Sequence, residues 1–244
     1  MTSSSLTIGV LLCDTLHDYL QPQVGGDFDE LLRQRIQNVD QQFILKAYRV
    51  HHNELPSSPS EADVWLINGS PNSVYYELDW ITRLISFVRQ VHAAKVPLVG
   101  FCFGHHIIAT ALGGKVERST QGWGLGIANY PVTQPSSWMQ PAIDNYHIFV
   151  FHQDQIVNLP ANTQVLSGNE FCPYFWLQYD DKTMSTQGHP EFYKGFLSAV
   201  LSSDEFDDLP EVREQGLNNL QGEADTKIMF QWVTNFYRQA LGLY

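Results

Sequence analysis

The sequence predicts an α/β protein: a mostly parallel sheet with helices on both faces and a small antiparallel β region attached. Three observations predict it. Short apolar runs alternate with helical periodicity through the first half, turn-separated strand-like runs follow one another from about residue 115 to 188, and helical periodicity returns at the end. Residues 6–13 (LTIGVLLC) form an apolar run typical of a buried strand, residues 42–50 a second and residues 63–67 (DVWLI) a third, closed by the turn cluster Asn68-Gly69-Ser70-Pro71. Val74, Leu78, Ile81, Ile85 and Val88 recur at steps of four and three, one face of an amphipathic helix reaching about Ala94. Residues 96–101 read as a fourth strand. Residues 104–112 read as a helix stopped by Gly113-Gly114. The later strands fall at 127–133, 147–152, 164–167, 174–179 and 183–187, with little helical periodicity between them, as in antiparallel hairpins. Ile228, Trp232, Phe236 and Ala240 repeat at four and predict a packed C-terminal helix with Asp225 as N-cap.

Composition bounds the function. The chain has 244 residues, 43% hydrophobic and 16% charged, enough for a core without staples, and is expected to form one domain over residues 1–244. Fourteen basic against 26 acidic residues give a net charge of −12. That balance argues against nucleic acid or an anionic membrane surface as partner, since both need clustered Lys and Arg. No apolar run approaches a bilayer span, and the first basic residue is Arg33, so no secretion signal is expected. Three cysteines are no disulfide framework and point to a reducing cytoplasm. No Cys-x-x-Cys pair exists, and adjacent His105 and His106 point about 100° apart on a helix, so no metal is expected. His51-His52 reads as surface. Residues 202–225 carry eight acidic residues against Arg213, which reads as a solvated connection or helix, with a docking surface for a basic partner as the alternative.

The chemistry concentrates in two segments. Gly100-Phe101-Cys102-Phe103-Gly104 follows a buried strand and opens a helix. This is the layout of a nucleophile elbow, with Cys in place of Ser. A helix N-terminus offers free N–H groups and partial positive charge, which favour a thiolate. The N–H of Phe103 can face a developing oxyanion. Cysteine is also a common small core residue, and Cys13 and Cys172, which lack this context, read as structural. The second segment is Gln187-Gly188-His189-Pro190-Glu191-Phe192. Pro190 pushes His189 into extended backbone, where residues two apart point the same way, so Glu191 can orient the His189 imidazole. Alternatively, Pro190 and Glu191 begin a helix and His189 caps a loop.

Together the two segments resemble the class I glutamine amidotransferases, or triad glutaminases, whose elbow reads G-x-C-x-G-x-Q before a Gly-Gly helix stop and whose triad ends in G-H-P-E. Four further stretches are similar to family landmarks in the same order: Leu66-Ile67-Asn68-Gly69-Ser70-Pro71, Gly122-Trp123-Gly124-Leu125-Gly126, Phe151-His152-Gln153-Asp154-Gln155-Ile156 and Leu159-Pro160. The resemblance implies a flavodoxin-like sheet. It implies Cys102 as nucleophile, His189 as general base and acid, and Glu191 as its orienter. It implies an oxyanion hole from the N–H groups of Phe103 and of Ser70 or Gly69. It places substrate contacts at His106, Phe151, His152, Gln153 and Asp154, and implies no cofactor. The sequence departs from the pattern at His106, where the elbow has Gln, at Ser70, where many members have Gly, and at Gln153. The reaction implied is hydrolysis of a glutamine γ-amide through a γ-glutamyl thioester, with ammonia passed to a separate synthetase subunit, since 244 residues leave no room for one. The alternatives are a stand-alone hydrolase similar to plant γ-glutamyl peptidases, and a catalytically silent binding protein of the same fold.

Overall fold

A computed structural model describes residues 5–243; Tyr244 and the Met1–Ser4 stretch, read above for a secretion signal, lie outside the described residues. Strands β1 (Leu6–Leu12), β2 (Phe43–Arg49), β3 (Val64–Ile67) and β4 (Leu98–Phe101) appear where the apolar runs predict them. They are followed by β5 (Lys115–Arg118), β6 (Gly124–Pro131), β7 (Asn145–His152), β8 (Asp154–Asn158), β9 (Gln164–Ser167), β10 (Trp176–Gln178) and β11 (Thr183–Thr186). Seven strands form one sheet in the order β2-β1-β3-β4-β11-β10-β9. The neighbours from β2 to β11 pair parallel, and β10 and β9 add an antiparallel edge. Two further ribbons, β5 with β8 and β6 with β7, are antiparallel. The predicted hairpin region joins the main sheet through β11, which pairs antiparallel with β10 and parallel with β4.

The helices are α1 (Gln21–Val24), α2 (Phe28–Gln37), α3 (Asp79–Ala93), α4 (Phe103–Ala111), α5 (Lys194–Leu201), α6 (Pro210–Asn218) and α7 (Thr226–Ala240). Strand alternation divides the core between two faces. Val64, Leu66, Val99 and Phe101 point to the layer of α2 and α7, packing with Leu32, Ile36, Phe230 and Val233. Trp65, Ile67 and Leu98 point to the layer of α3 and α4, packing with Leu84, Val88, Ile107 and Ile108. Fully buried strands covered on both faces explain why these runs are continuously apolar rather than alternating.

Three local expectations are corrected. Helix α3 starts at Asp79, not near Val74, because residues 73–78 form a turn closed by Tyr76 N–H to the Ser73 carbonyl at 3.0 Å, and Leu78 is extended. Asp225 occupies the N-cap position of α7, but its carboxylate accepts the His147 backbone N–H at 2.7 Å and ties the helix to β7 instead of capping it. His51 is half-buried rather than a surface residue: its Nδ1 bonds the Leu12 carbonyl at 2.9 Å and its Nε2 the Thr15 hydroxyl at 2.8 Å. The acidic stretch folds into a 3-10 turn (Asp204–Phe206) and α6, with Phe206 buried under it.

Candidate active site

Three parallel strand ends converge at one edge of the sheet. Ile67 of β3 lies opposite Gly100 of β4, and Phe101 of β4 opposite Thr186 of β11. The loops leaving these ends carry Gly69 and Ser70, then Cys102, then His189. This is the edge at which parallel α/β sheets hold ligands.

Cys102 is the junction between β4 and α4. Its backbone has φ 48° and ψ −103°, a strained conformation for a residue with a Cβ. Neighbouring contacts enforce it. The Cys102 N–H bonds the Thr186 carbonyl at 2.9 Å. A Cβ on Gly100 would meet the Gly104 carbonyl at 2.5 Å, and one on Gly104 would meet the Ile67 carbonyl oxygen at 2.5 Å. Both elbow glycines are therefore needed for the turn to close against β3. The first turn of α4 has amide N–H groups without intrahelical partners, and Phe103 contributes one beside Cys102.

His189 arrives from the other side. Its backbone N–H bonds the Phe149 carbonyl of β7 at 2.8 Å. Its Nδ1 lies 2.8 Å from Glu191 Oε1, and its ring stacks on Phe192 at 4.0 Å between centroids. The i, i+2 arrangement is the one the Pro190 argument predicts, with Glu191 fully buried. Burial pulls the His189 pKa down, but Cys102 and Glu191 beside it outweigh burial and raise the imidazole to about 10. Its Nε2 is buried without an aligned hydrogen-bond partner among the described residues. Gly69 packs against this ring: a Cβ there would sit 2.8 Å from His189 Cε1 and 3.8 Å from Cys102 Cβ. The backbone N–H groups of Gly69 and Ser70 have no partner among the described residues.

A cavity of about 470 Å³ opens over these groups. Cys102, Phe103, His189, Gly69 and Ser70 line it, and so do His106, Phe151, His152, Gln153 and Asp154. The structure therefore gathers every residue singled out from the sequence except Glu191, which lies one layer behind His189. The Phe151 carbonyl is 3.9 Å from Cys102 Sγ, and Asp154 accepts the Tyr75 hydroxyl at 3.0 Å. Burial lowers the His152 pKa to about 3, so its ring is neutral; its Nδ1 bonds the Asp154 carbonyl at 3.2 Å and braces that loop. His105 and His106 diverge, His105 to Ser185 at 2.7 Å and His106 to Gln187 at 2.8 Å.

Four residues not singled out from the sequence also shape the site. Arg35 of α2 donates to the carbonyls of Glu191 and Phe192 at 3.0 and 3.2 Å, fixing the turn that carries His189 and Glu191. Asn68 is fully buried and accepts the Cys13 backbone N–H at 2.7 Å, joining the ends of β1 and β3. Asp14 lines the cavity, and burial lifts its pKa to about 6. Gln187 places an amide nitrogen 3.8 Å from Cys102 Sγ. The Phe28, Leu31, Leu32, Ile36 spacing after Asp27 was a readable helix signal that would have led to Arg35. Gln187, Asn68 and Asp14 have no signal of their own, because their partners are distant in sequence.

A strained elbow at the end of a parallel strand, with an imidazole and carboxylate beside it, defines a nucleophile-elbow α/β architecture. The model of the class-I glutamine amidotransferase family matches residues 22–209, and the chain belongs to that family. Gamma-glutamyl peptidase 2 of Arabidopsis thaliana is 27% identical over 202 residues, covering 78% of this chain and 80% of that protein. A glutamine-hydrolyzing GMP synthase of Wigglesworthia glossinidia brevipalpis is 26% identical over 186 residues, covering 71% of this chain but 34% of that protein. The crystal structure of a glutamine amidotransferase from Thermotoga maritima superimposes with a TM-score of 0.78 at 15% identity, covering 96% of this chain and 99% of that one. Among the described residues no helix is long and apolar enough to cross a membrane.

Proposed function

We propose that the protein is a cysteine hydrolase of γ-glutamyl amide bonds, acting on γ-glutamyl compounds larger than glutamine. The observation that carries this reading is the convergence of Cys102, the His189–Glu191 pair and the Gly69–Ser70 loop on one cavity. Cys102 Sγ attacks the γ-carbonyl carbon as thiolate. The carbonyl oxygen, now an oxyanion, accepts hydrogen bonds from the N–H of Phe103 and of Ser70 or Gly69. His189 donates its Nε2 proton to the departing amine nitrogen as the C–N bond breaks, leaving a γ-glutamyl thioester. Water, deprotonated by His189, attacks the thioester carbon; the C–S bond breaks, glutamate leaves, and the thiolate–imidazolium pair is restored. Glu191 holds the imidazole in place and stabilises its charge. No cofactor enters these steps.

Two observations support a substrate larger than glutamine. The cavity is in the range that holds drug-sized ligands, and Trp123, Phe151, Phe206, Tyr75 and Tyr76 give it aromatic walls beyond Cys102. The likeness to a gamma-glutamyl peptidase also extends over most of both chains. The second reading is a glutaminase that passes ammonia to a separate synthetase subunit, favoured by the likeness to part of a GMP synthase. A cytoplasmic location goes with either reading, supported by three unpaired cysteines, which a reducing compartment keeps as thiols.

Glutamate release from glutathione and from glutamine, each beside a Cys102→Ala control, tests the proposal. Release from glutathione, lost in the control, is the expected result. Release from glutamine alone would replace it with the glutaminase reading. No release from either would favour a binding protein of the same fold.

A further inference from the structure

Gln187 is fully buried between the end of β11 and the start of α4, and its amide is held at both ends. Its Oε1 lies 2.8 Å from His106 Nε2, and its Nε2 lies 3.8 Å from Cys102 Sγ. A side-chain amide has two faces of opposite polarity. An N–H turned to sulfur favours the thiolate; a carbonyl oxygen turned to sulfur favours the protonated thiol. Which face Gln187 presents is set by the group at its other end.

We propose that His106 and Gln187 are a positioning pair for the nucleophile: His106, with its hydrogen on Nε2, holds the Gln187 oxygen, and so turns the Gln187 N–H onto Cys102 Sγ. This gives His106 a role distinct from a substrate contact. It also gives a physical reason why a histidine can stand at this elbow position: what the relay requires is a buried N–H donor at that reach. The inference rests on Cys102 being the nucleophile. Burial lowers the His106 pKa against the pull of Gln187 and of the Asp154 carboxylate and backbone, with the His189 ring also facing it. The other groups facing Sγ are the Phe151 carbonyl at 3.9 Å and the His189 ring, with Glu191 behind that ring and Cys172 within electrostatic reach.

The test is the pH dependence of iodoacetamide alkylation at Cys102, followed on its own peptide by mass spectrometry in the folded full-length chain. His106→Phe and Gln187→Met are each expected to raise the apparent thiol pKa by about one unit, cutting the alkylation rate about tenfold on the acid side. His106→Gln keeps an N–H donor and is expected to restore the rate to within about twofold, a rescue that mere packing would not give. Because His106 acts through Gln187, the double variant is expected to be no slower than Gln187→Met alone. An unchanged profile in His106→Phe, full additivity, or a lowered thiol pKa would overturn the proposal; the last would mean that the Gln187 oxygen faces sulfur. Should His106→Phe fail to fold, His106→Leu replaces it, and should Gln187→Met fail, the contrast of His106→Phe with His106→Gln decides. The readout needs no turnover, so it fails separately from the proposed hydrolysis, which fails if Cys102→Ala keeps full activity.

Discussion

Cys13 and Cys102 occupy equivalent places in the sheet and are different chemical groups. Each is the first residue after a central parallel strand, β1 and β4, at the same sheet edge, and both are buried. Cys13 has ordinary loop surroundings: its N–H is held by Asn68, its Sγ faces the Leu11 carbonyl at 3.5 Å, and burial with the nearby Asp14 charge pushes its pKa well above the usual thiol value. Cys102 begins a helix, carries a strained backbone and faces an imidazole raised to about 10. Location at a strand end is thus not what sets Cys102 apart: the start of α4, local in sequence, and the His189–Glu191 pair, brought from a distant segment, do.

Replacing each cysteine should break this comparison most sharply. Cys102→Ala is expected to lower γ-glutamyl hydrolysis by at least about 10⁴-fold, as loss of a triad nucleophile does, while Cys13→Ala leaves kcat/KM within about twofold; steady-state assays on both variants check it. Thiol labelling is the next contrast. In the folded protein, Cys102 should alkylate about a hundredfold or more faster than Cys13 and Cys172, with all three equalising in denaturant.

The His189 shift gives a pH prediction whose sign follows from linkage. Its pKa in the folded protein, about 10, lies above the ordinary imidazole value of 6.5. The stabilisation is therefore complete below about pH 6.5 and lost as pH rises through about 10. Cys102→Ala removes a principal cause of the raised value, so its thermal stability should depend less on pH across that window. Melting curves on the two proteins read this directly.

Asp14 sharpens the comparison from the other side. Its pKa rises from 3.8 to about 6 because burial, with Asp27 and Glu205 nearby, disfavours its charge. Its ionisation costs stability that is present below pH 3.8 and lost as pH rises through about 6. Asp14→Asn should accordingly stabilise the protein at pH 8 by up to about 3 kcal/mol, and leave it unchanged near pH 3.5. It should also speed Cys13 alkylation slightly without approaching Cys102. The smallest effect expected is that of Cys13→Ala on stability, about 1 kcal/mol from one lost buried sulfur, measurable by urea titration.

The parallel strands, α3 and α4 were legible because buried strands and amphipathic helices write their period into neighbouring residues. The sharp turn at Cys102 was legible for a similar reason: the elbow needs small residues at 100 and 104, two positions either side of Cys102. His189 and Glu191 could be paired because Pro190 constrains its neighbour and the two side chains are only two residues apart. These are local constraints, and they singled out Cys102, His189 and Glu191 as candidates; the roles of nucleophile, base and orienter came only from the family resemblance. What tertiary structure decided is everything that depends on separation along the chain. β11 pairs beside β4 with a separation of 85 residues (Phe101 opposite Thr186) and brings His189 to Cys102. Arg35 reaches Glu191 from α2, a separation of 156 residues. Gln187 is turned by His106 from another element, 81 residues away. Asp225 sits at a helix start, yet its carboxylate accepts the His147 N–H of β7 and caps none of its own helix's amides. A side chain's options are set by its type and its neighbours in sequence; which option it takes is set by the partner that packing delivers.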